Sequence, residues 1–284
     1  MLKARVFTAL FLVSIFLPLL FYAPVYLIQI VFSAVFLLIS WELATLVFNK
    51  RKFHVIAFTL VTFFHIIICW LIIFGLASIK PIHTPYYLYF CITISTIFWI
   101  IGVPFILSKG INALHGVTTL WLFIIGEILL AGSWYSVLIL INQSVLLFMR
   151  ILIIVFLADI GAYFIGKQFG KTKLAPLISP GKSIEGVSGA LIVNIIFSYI
   201  LWCFNLDPLA SINGKEVNFY WILLLNLFLV SYSVLGDLFE SLLKRIAKVK
   251  DSGNFLPGHG GVLDRTDSLL PVLCITSTLM ICIP

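Results

Sequence analysis

Residues 241–267 read S-L-L-K-R-I-A-K-V-K-D-S-G-N-F-L-P-G-H-G-G-V-L-D-R-T-D. They gather nine ionisable side chains and four glycines in a chain that is 62% hydrophobic and only 10% charged. Charge is costly near lipid, so a polar cluster this dense between apolar segments marks a working site. If the preceding apolar segment stays helical through Arg245, then Asp237, Glu240, Ser241 and Lys244 stand at i, i+3, i+4 and i+7. That spacing makes one polar stripe at the end of an apolar helix. Lipid-seeking helix ends explain Lys244 and Arg245, but they leave Asp237, about two turns deeper, without a reason. Beyond the glycines, Asp264 and Asp267 are three apart and would share a face of a helical first turn. One such aspartate could simply cap a helix. Two of them, after a glycine-rich loop with His259, point to a hard cation such as Mg²⁺, which keeps waters and substrate phosphates in its shell. Asp237 and Asp264 would form that partial cage.

A second polar stretch runs from Asp159 to Gly186, D-I-G-A-Y-F-I-G-K-Q-F-G-K-T-K-L-A-P-L-I-S-P-G-K-S-I-E-G. It carries Lys167, Lys171, Lys173 and Lys182, and S-P-G-K-S opens directly onto another apolar segment. A helix N-terminus beside Gly181 and Lys182 is expected to favour phosphate. It is not a Walker A loop, because the positions five residues before Gly181 and Gly170 are Pro176 and Ile165 rather than glycine.

The elements that must position these groups are membrane helices. Mean hydropathy over the 284 residues is +1.18. Repeated runs of about 20 apolar residues suffice to cross a hydrocarbon core of about 30 Å. An all-α, polytopic membrane domain of about nine spans is expected, at 6–22, 25–48, 55–79, 86–107, 116–140, 144–166, 186–204, 219–243 and 268–283. The first reads as a retained signal-anchor helix, since no small-residue cleavage site follows it. With the N-terminus inside, 15 of the 18 Lys and Arg residues fall on the cytoplasmic side, including both polar loops, as the positive-inside rule requires. The net charge of +7 therefore reflects topology and not nucleic-acid binding. Residues 1–150 read as scaffold and lipid-facing wall, and residues 151–284 as the catalytic half. Glu42 lies deep in the second span, either as a structural partner for a basic residue or in the site, and Glu127 is read as structural. The five cysteines show no C-x-x-C spacing and read as packing residues.

At this point the chain resembles the phosphatidate cytidylyltransferase (CDP-diacylglycerol synthase) family. The signature S-x-x-K-R-x-x-x-x-K-D-x-G-x-x-L-P-x-H-G-G-x-x-D-R-x-D is matched throughout residues 241–267. G-D-L-x-E-S, S-P-G-K at 179–182, D-x-G-A-Y-x-x-G-K at 159–167 and S-W-E at 40–42 support it. Ser183 stands where threonine is more usual. The resemblance implies CTP and phosphatidate as substrates, CDP-diacylglycerol and pyrophosphate as products, Mg²⁺ as cofactor, a bacterial inner-membrane location and a homodimer. It implies Asp237 and Asp264 as metal ligands, within a catalytic set of Asp237, Asp264, Asp267, Lys250 and Asp251. Substrate contacts are expected from Ser179, Lys182, Ser241, Lys244, Arg245, His259, Arg265 and Asp159. Rival readings are a CTP-dependent polyprenol kinase, another lipid cytidylyltransferase, or a transporter of phosphorylated solutes. The transporter is disfavoured because the charged groups lie at span ends and not at mid-membrane on broken helices.

Overall fold

The computed structural model of the chain describes residues 14–48, 51–77, 86–212, 214–256, 258 and 260–282. Helical residues 14–22 lead into α1 (Val25–Val47) and α2 (Lys52–Ala77). Next come α3 (Tyr86–Ile97, continued through a π turn Phe98–Gly102 and Val103–Lys109), α4 (Thr119–Gln143) and α5 (Val145–Phe169). The chain ends with α6 (Ile184–Cys203), α7 (Phe219–Ile246) and α8 (Leu269–Cys282). The architecture is all-α and polytopic, as expected. Among the described residues, seven helices, α1 to α7, are long and apolar enough to cross a membrane. The expected ninth span is the 14-residue α8, about 21 Å long at 1.5 Å per residue, which is short for a bilayer core. The expected fifth and sixth spans are α4 and α5, and they do not merge. Ser144 between them is fully extended and its hydroxyl caps α5 by accepting from the Leu147 N–H.

The α5 sequence shows why the helix has two faces. Leu147, Ile151, Ile154, Val155 and Ala158 are buried, whereas Phe156, Ile160, Tyr163 and Phe164 are exposed in a stripe at helical spacing. In water such a stripe would be an interaction site; on a membrane helix it is the lipid-facing surface. Against α6, α5 packs backbone to backbone. A Cβ added at Gly161 would lie 2.8 Å from the Gly189 carbonyl oxygen, and one at Gly186 would lie 3.0 Å from that of Ala162. Small residues at both positions let the two helices approach closely, the usual device where lipid removes any hydrophobic drive between helices. The irregular turn in α3 also has a chemical cause. Pro104 lacks the N–H that would bond back to Ile100. The Ile100 carbonyl accepts instead from the Tyr232 hydroxyl of α7, at 3.3 Å.

The C-terminal ends of α1, α5 and α7 and the N-terminal ends of α6 and α8 lie at one end of the bundle. The other end is pinned by Arg150 at the start of α5, buried to 2% exposure. Its guanidinium donates to Asp207 (3.2 and 3.4 Å), to Ser198 of α6 (2.7 Å) and to Asn226 of α7 (3.3 Å). A buried charge is tolerated only when paired and hydrogen-bonded in this way. All five cysteines are free, and Cys69, Cys91 and Cys274 are buried packing residues, as expected. Two short hairpins depart from pure helix: β1–β2 (Lys173–Ala175 with Ser179–Ser183) and β3–β4 (Ser211–Ile212 with Lys215–Glu216).

The two hairpins lie at opposite ends of the bundle and allow a test of orientation. In a cysteine-free background, a single cysteine at Leu177, 81% exposed beside β2, should resist an impermeant maleimide in intact cells. One at Lys215 should react readily. The reverse pattern would place the polar loops outside, away from intracellular nucleotides.

Candidate active site

The site is built from three pieces brought to one end of the bundle. The first is the end of α7, helical through Ile246, so the stripe forms as its spacing requires. The Ser241 hydroxyl donates to the Asp237 carboxylate at 3.3 Å, and the Lys244 ammonium pairs with Glu240 one turn below. Lys244 also reaches Asp264 Oδ1 at 2.6 Å, joining α7 to the segment before α8. Gly236 sits where the Asp267 backbone comes against α7, so a side chain there would force the two apart. Asp267 is thereby buried beside Asp237, and its own carboxylate accepts the Ser268 N–H at 2.7 Å.

The second piece is the β1–β2 hairpin. Lys173 pairs with Ser183 and Ala175 with Ser179. Its turn is docked on α7 by buried Ile178 against Leu238 and Leu242. Arg245 fixes it by donating from Nε to the Ile178 carbonyl at 3.0 Å. This directs Lys182 at Asp237, with Nζ 2.7 Å from Oδ2 in an ion pair not aligned as a hydrogen bond. The expected phosphate seat at the N-terminus of α6 is corrected here. Ser183 caps that helix by accepting from Gly186 at 3.1 Å, the Ile184 N–H bonds to Thr172 at 2.9 Å, and the Glu185 carboxylate occupies the first turn. With those donors taken and a carboxylate present, the helix end has little left for an anion.

The third piece is the glycine-rich loop, and its anchor comes from the opposite end of the sequence. Glu42 of α1, 1% exposed, accepts from the Val262 N–H (3.1 Å), the Leu263 N–H (2.7 Å) and the Ser252 hydroxyl (3.1 Å). Of the two expected places, the site is the one it takes, and its part there is to hold the loop. Gly253 and Gly261 are required by its approach, since a Cβ at either would run into the Glu42 carboxylate. Gly260 adopts φ +85°, which other residues resist. The loop in turn clasps Asp264, whose Oδ2 accepts from the N–H groups of Gly261 (2.8 Å) and Ser252 (2.9 Å) and, at 3.0 Å, shares the single Ser252 hydroxyl proton with Glu42.

Asp264 and Asp267 do not share a helical first turn. Asp264 lies in a 3₁₀ turn, Leu263–Arg265, and faces the loop; Asp267 faces α7. Burial alone would raise the pKa of Asp264, but Lys244 and the N–H groups of Gly261 and Ser252 outweigh it and hold the carboxyl at about 2. Because the folded value is the lower one, this carboxylate's stabilising contribution is complete above about pH 4 and fades as pH falls towards 2. Burial pushes Asp267 upward instead, and the neighbouring charge of Asp237 adds to that.

The remaining expected residues take varied places. Asp159, exposed near the end of α5, feels the charges of Asp237, Lys182 and Arg265. Ser179 is half-buried on β2, whereas Lys250, Asp251 and Arg265 are exposed. His259 lies outside the described residues. Two participants escaped the sequence assignment. Glu240, noted only as part of the stripe, is buried against Lys244. Ser252 carries both Asp264 and Glu42.

Among the described residues, no three His, Cys, Asp or Glu side chains form a ready-made metal cage. The electrostatics fit a divalent cation nonetheless. Asp237 acts on both Asp159 and Asp267, and Asp264 and Asp267 act on Glu240, so these carboxyl groups form one connected cluster around Lys182, Lys244 and Arg265. Their oxygens are the hard donors that suit Mg²⁺, and an added cation would relieve the repulsion between Asp237 and Asp267.

Residues 3–283 match the model of the cytidylyltransferase family. The phosphatidate cytidylyltransferase of Haemophilus influenzae is 34% identical over 284 aligned residues, 95% of each chain. That of Pseudomonas aeruginosa is 32% identical across 99% of this chain and 97% of its own. The Bacillus subtilis enzyme of the same name is 46% identical over 121 residues, 43% of this chain and 42% of its own.

The Glu42 anchor predicts a local effect of substitution. Glu42→Ala leaves two buried N–H groups without an acceptor, at about 1–3 kcal/mol each. Hydrogen exchange across residues 250–264 should accelerate, with the α5–α6 pair unchanged, and turnover should fall. Unaltered exchange in that loop would show that the glycine-rich segment holds itself.

Proposed function

Because the chain belongs to the cytidylyltransferase family, we infer that it transfers the cytidylyl group of CTP to phosphatidate, giving CDP-diacylglycerol and pyrophosphate. It is an integral membrane enzyme; we place its active site on the cytoplasmic face, where CTP is found. The observation that carries the reading is the junction of Lys182, Asp237, Lys244 and Asp264 at one end of the helical bundle. A membrane-embedded acceptor and a soluble nucleotide can both reach such a place.

In the reaction, a phosphate oxygen of phosphatidate attacks the α-phosphorus of CTP, and the bond from that phosphorus to the β-phosphate oxygen breaks. The acceptor is already an anion, so little protein proton transfer is needed. The work is positioning and charge stabilisation. Asp237 and Asp264 are proposed to hold Mg²⁺, with the carboxyl groups of Asp267 and Glu240 packed behind them. When bound, Mg²⁺ would draw charge from the departing pyrophosphate. Lys182 is bound by one carboxylate and can turn to a phosphate oxygen. Lys244 is held between Glu240 and Asp264 and acts as the fixed cation joining the two elements. Arg245 positions the hairpin through Ile178. Lys250, Arg265, Asp159, Ser179 and His259 are proposed substrate contacts. A homodimer is proposed on family resemblance alone.

Two predictions follow from this assignment. Lys182→Ala should insert and fold normally yet lose about 2–4 kcal/mol of transition-state stabilisation, read as kcat/KM with purified protein, labelled CTP and phosphatidate. Near-normal turnover would make S-P-G-K a surface loop. Asp237→Asn and Asp264→Asn should each abolish product formation, with the double variant little worse, because groups acting as a unit are not additive. Added Mg²⁺ should restore part of the Asp237→Asn activity; full activity at low Mg²⁺ would remove Asp237 from the metal site.

A further inference from the structure

One recess next to the carboxylate–lysine cluster has no role in the account so far. Between the end of α1 and the chain leaving α7 is a cleft with about 200 Å³ open to the centre of a water molecule. Leu46, Ala247 and Val249 give it apolar walls, Asp251 and Asn254 give it polar ones, and Ser252 belongs to its lining. We propose that this cleft receives the nucleoside end of CTP, base and ribose, with the triphosphate directed towards Lys182 and the Asp264 cluster. The proposal rests on the cytidylyl transfer inferred above.

Continuity comes first. Ser252 lines the cleft and also gives its N–H and its hydroxyl to Asp264 Oδ2, at 2.9 and 3.0 Å. The cleft and the reacting end of the site are thus separated by the width of one residue. A single nucleotide can occupy both.

The sign of the charge orients the ligand. Asp251 is exposed and has no ion pair or hydrogen bond among the described residues. A free carboxylate repels phosphate and accepts N–H or O–H groups, so it selects the uncharged end of a nucleotide: the exocyclic amine of cytosine or the ribose hydroxyls. Asn254 is likewise exposed and unbonded among the described residues, and its amide offers both a donor and an acceptor. A base edge that carries an amine beside a carbonyl needs both. Leu46, Ala247 and Val249 suit the face of a ring, and the polar side chains that make up the rest of the lining suit its edge and the ribose hydroxyls. Phosphatidate offers no comparable donor near its phosphate, and the Asp251 carboxylate disfavours its headgroup.

The test compares wild type with Asn254→Ala, Asp251→Asn and Ala247→Leu in detergent. CTP binding is measured at equilibrium without lipid, and initial rates are measured with CTP, UTP and phosphatidate. Each substitution should weaken CTP binding by about tenfold or more and leave the KM for phosphatidate unchanged. Asp251→Asn should also narrow the preference for CTP over UTP, since a site built to accept an amine rejects its absence strongly. Asn254→Ala removes an exposed side chain with no bond to the fold, so it tests the cleft even if Asp251→Asn disturbs the loop. CTP affinity within about twofold of wild type in both Asn254→Ala and Ala247→Leu overturns the proposal. So does a change confined to the KM for phosphatidate, which would give the cleft to the lipid. A wild type that binds CTP in this variant-sensitive way but forms no CDP-diacylglycerol would reject the reaction and keep the cleft.

Discussion

The carboxylate of Glu42 is the constraint on which the working end of the molecule depends. The loop 251–262 is rich in glycine and short of apolar side chains, so it has few contacts of its own with which to hold a shape. Glu42 gives it one. Two backbone N–H groups and the Ser252 hydroxyl converge on this buried carboxylate, and the glycines at 253 and 261 exist where it must pass. The loop so fixed presents its own N–H groups to Asp264, which then meets Lys244. A carboxylate on the first long helix therefore sets the position of one more than 220 residues later. The division into scaffold and catalytic halves is crossed by this contact, and the first half supplies part of the site's geometry.

Charge is arranged in the opposite manner at the two ends of the bundle. Arg150 and Asp207 are both buried, and Ser198 and Asn226 also accept from the guanidinium. Such a pair contributes little net stability over apolar packing, but breaking it strands a buried charge. It acts as a fixed peg joining α5, α6 and α7. At the other end, carboxyl groups and lysines are clustered together, and the Lys182–Asp237 pair retains partial exposure. A pair open to water can exchange a lysine contact for a phosphate. The peg cannot.

What the sequence made legible follows from the range of the interactions. The α7 stripe was readable because helical periodicity puts Asp237, Ser241, Glu240 and Lys244 together from spacing alone, and the structure has those contacts. The polytopic helical fold was readable from apolar run lengths. The Glu42 contact was not, because it joins distant segments through backbone N–H groups, which leave no residue-type signature. Arg150 stands as a charge inside an apolar run, but its partner Asp207 lies past the next helix, where no spacing rule connects the two. The phosphate seat at α6 was a plausible local reading that failed for a local reason: Ser183 and Glu185 had already filled the helix end.

The correction at α6 bears on how Lys182 can work. With the N-terminus of α6 closed to anions, the charge that the S-P-G-K segment can offer a phosphate is one ammonium on a hairpin. A hairpin alone would leave that ammonium loosely placed. Here the turn is pinned by Ile178 among Leu238 and Leu242, and from outside by Arg245 on the Ile178 carbonyl. Both restraints come from α7, the helix that carries Asp237. Lys182 and its carboxylate partner are therefore referenced to the same rigid element, and the distance between them survives movements of the loops around them. A cation positioned in this way needs little reorganisation when negative charge develops nearby, which is the condition under which electrostatic stabilisation is most effective.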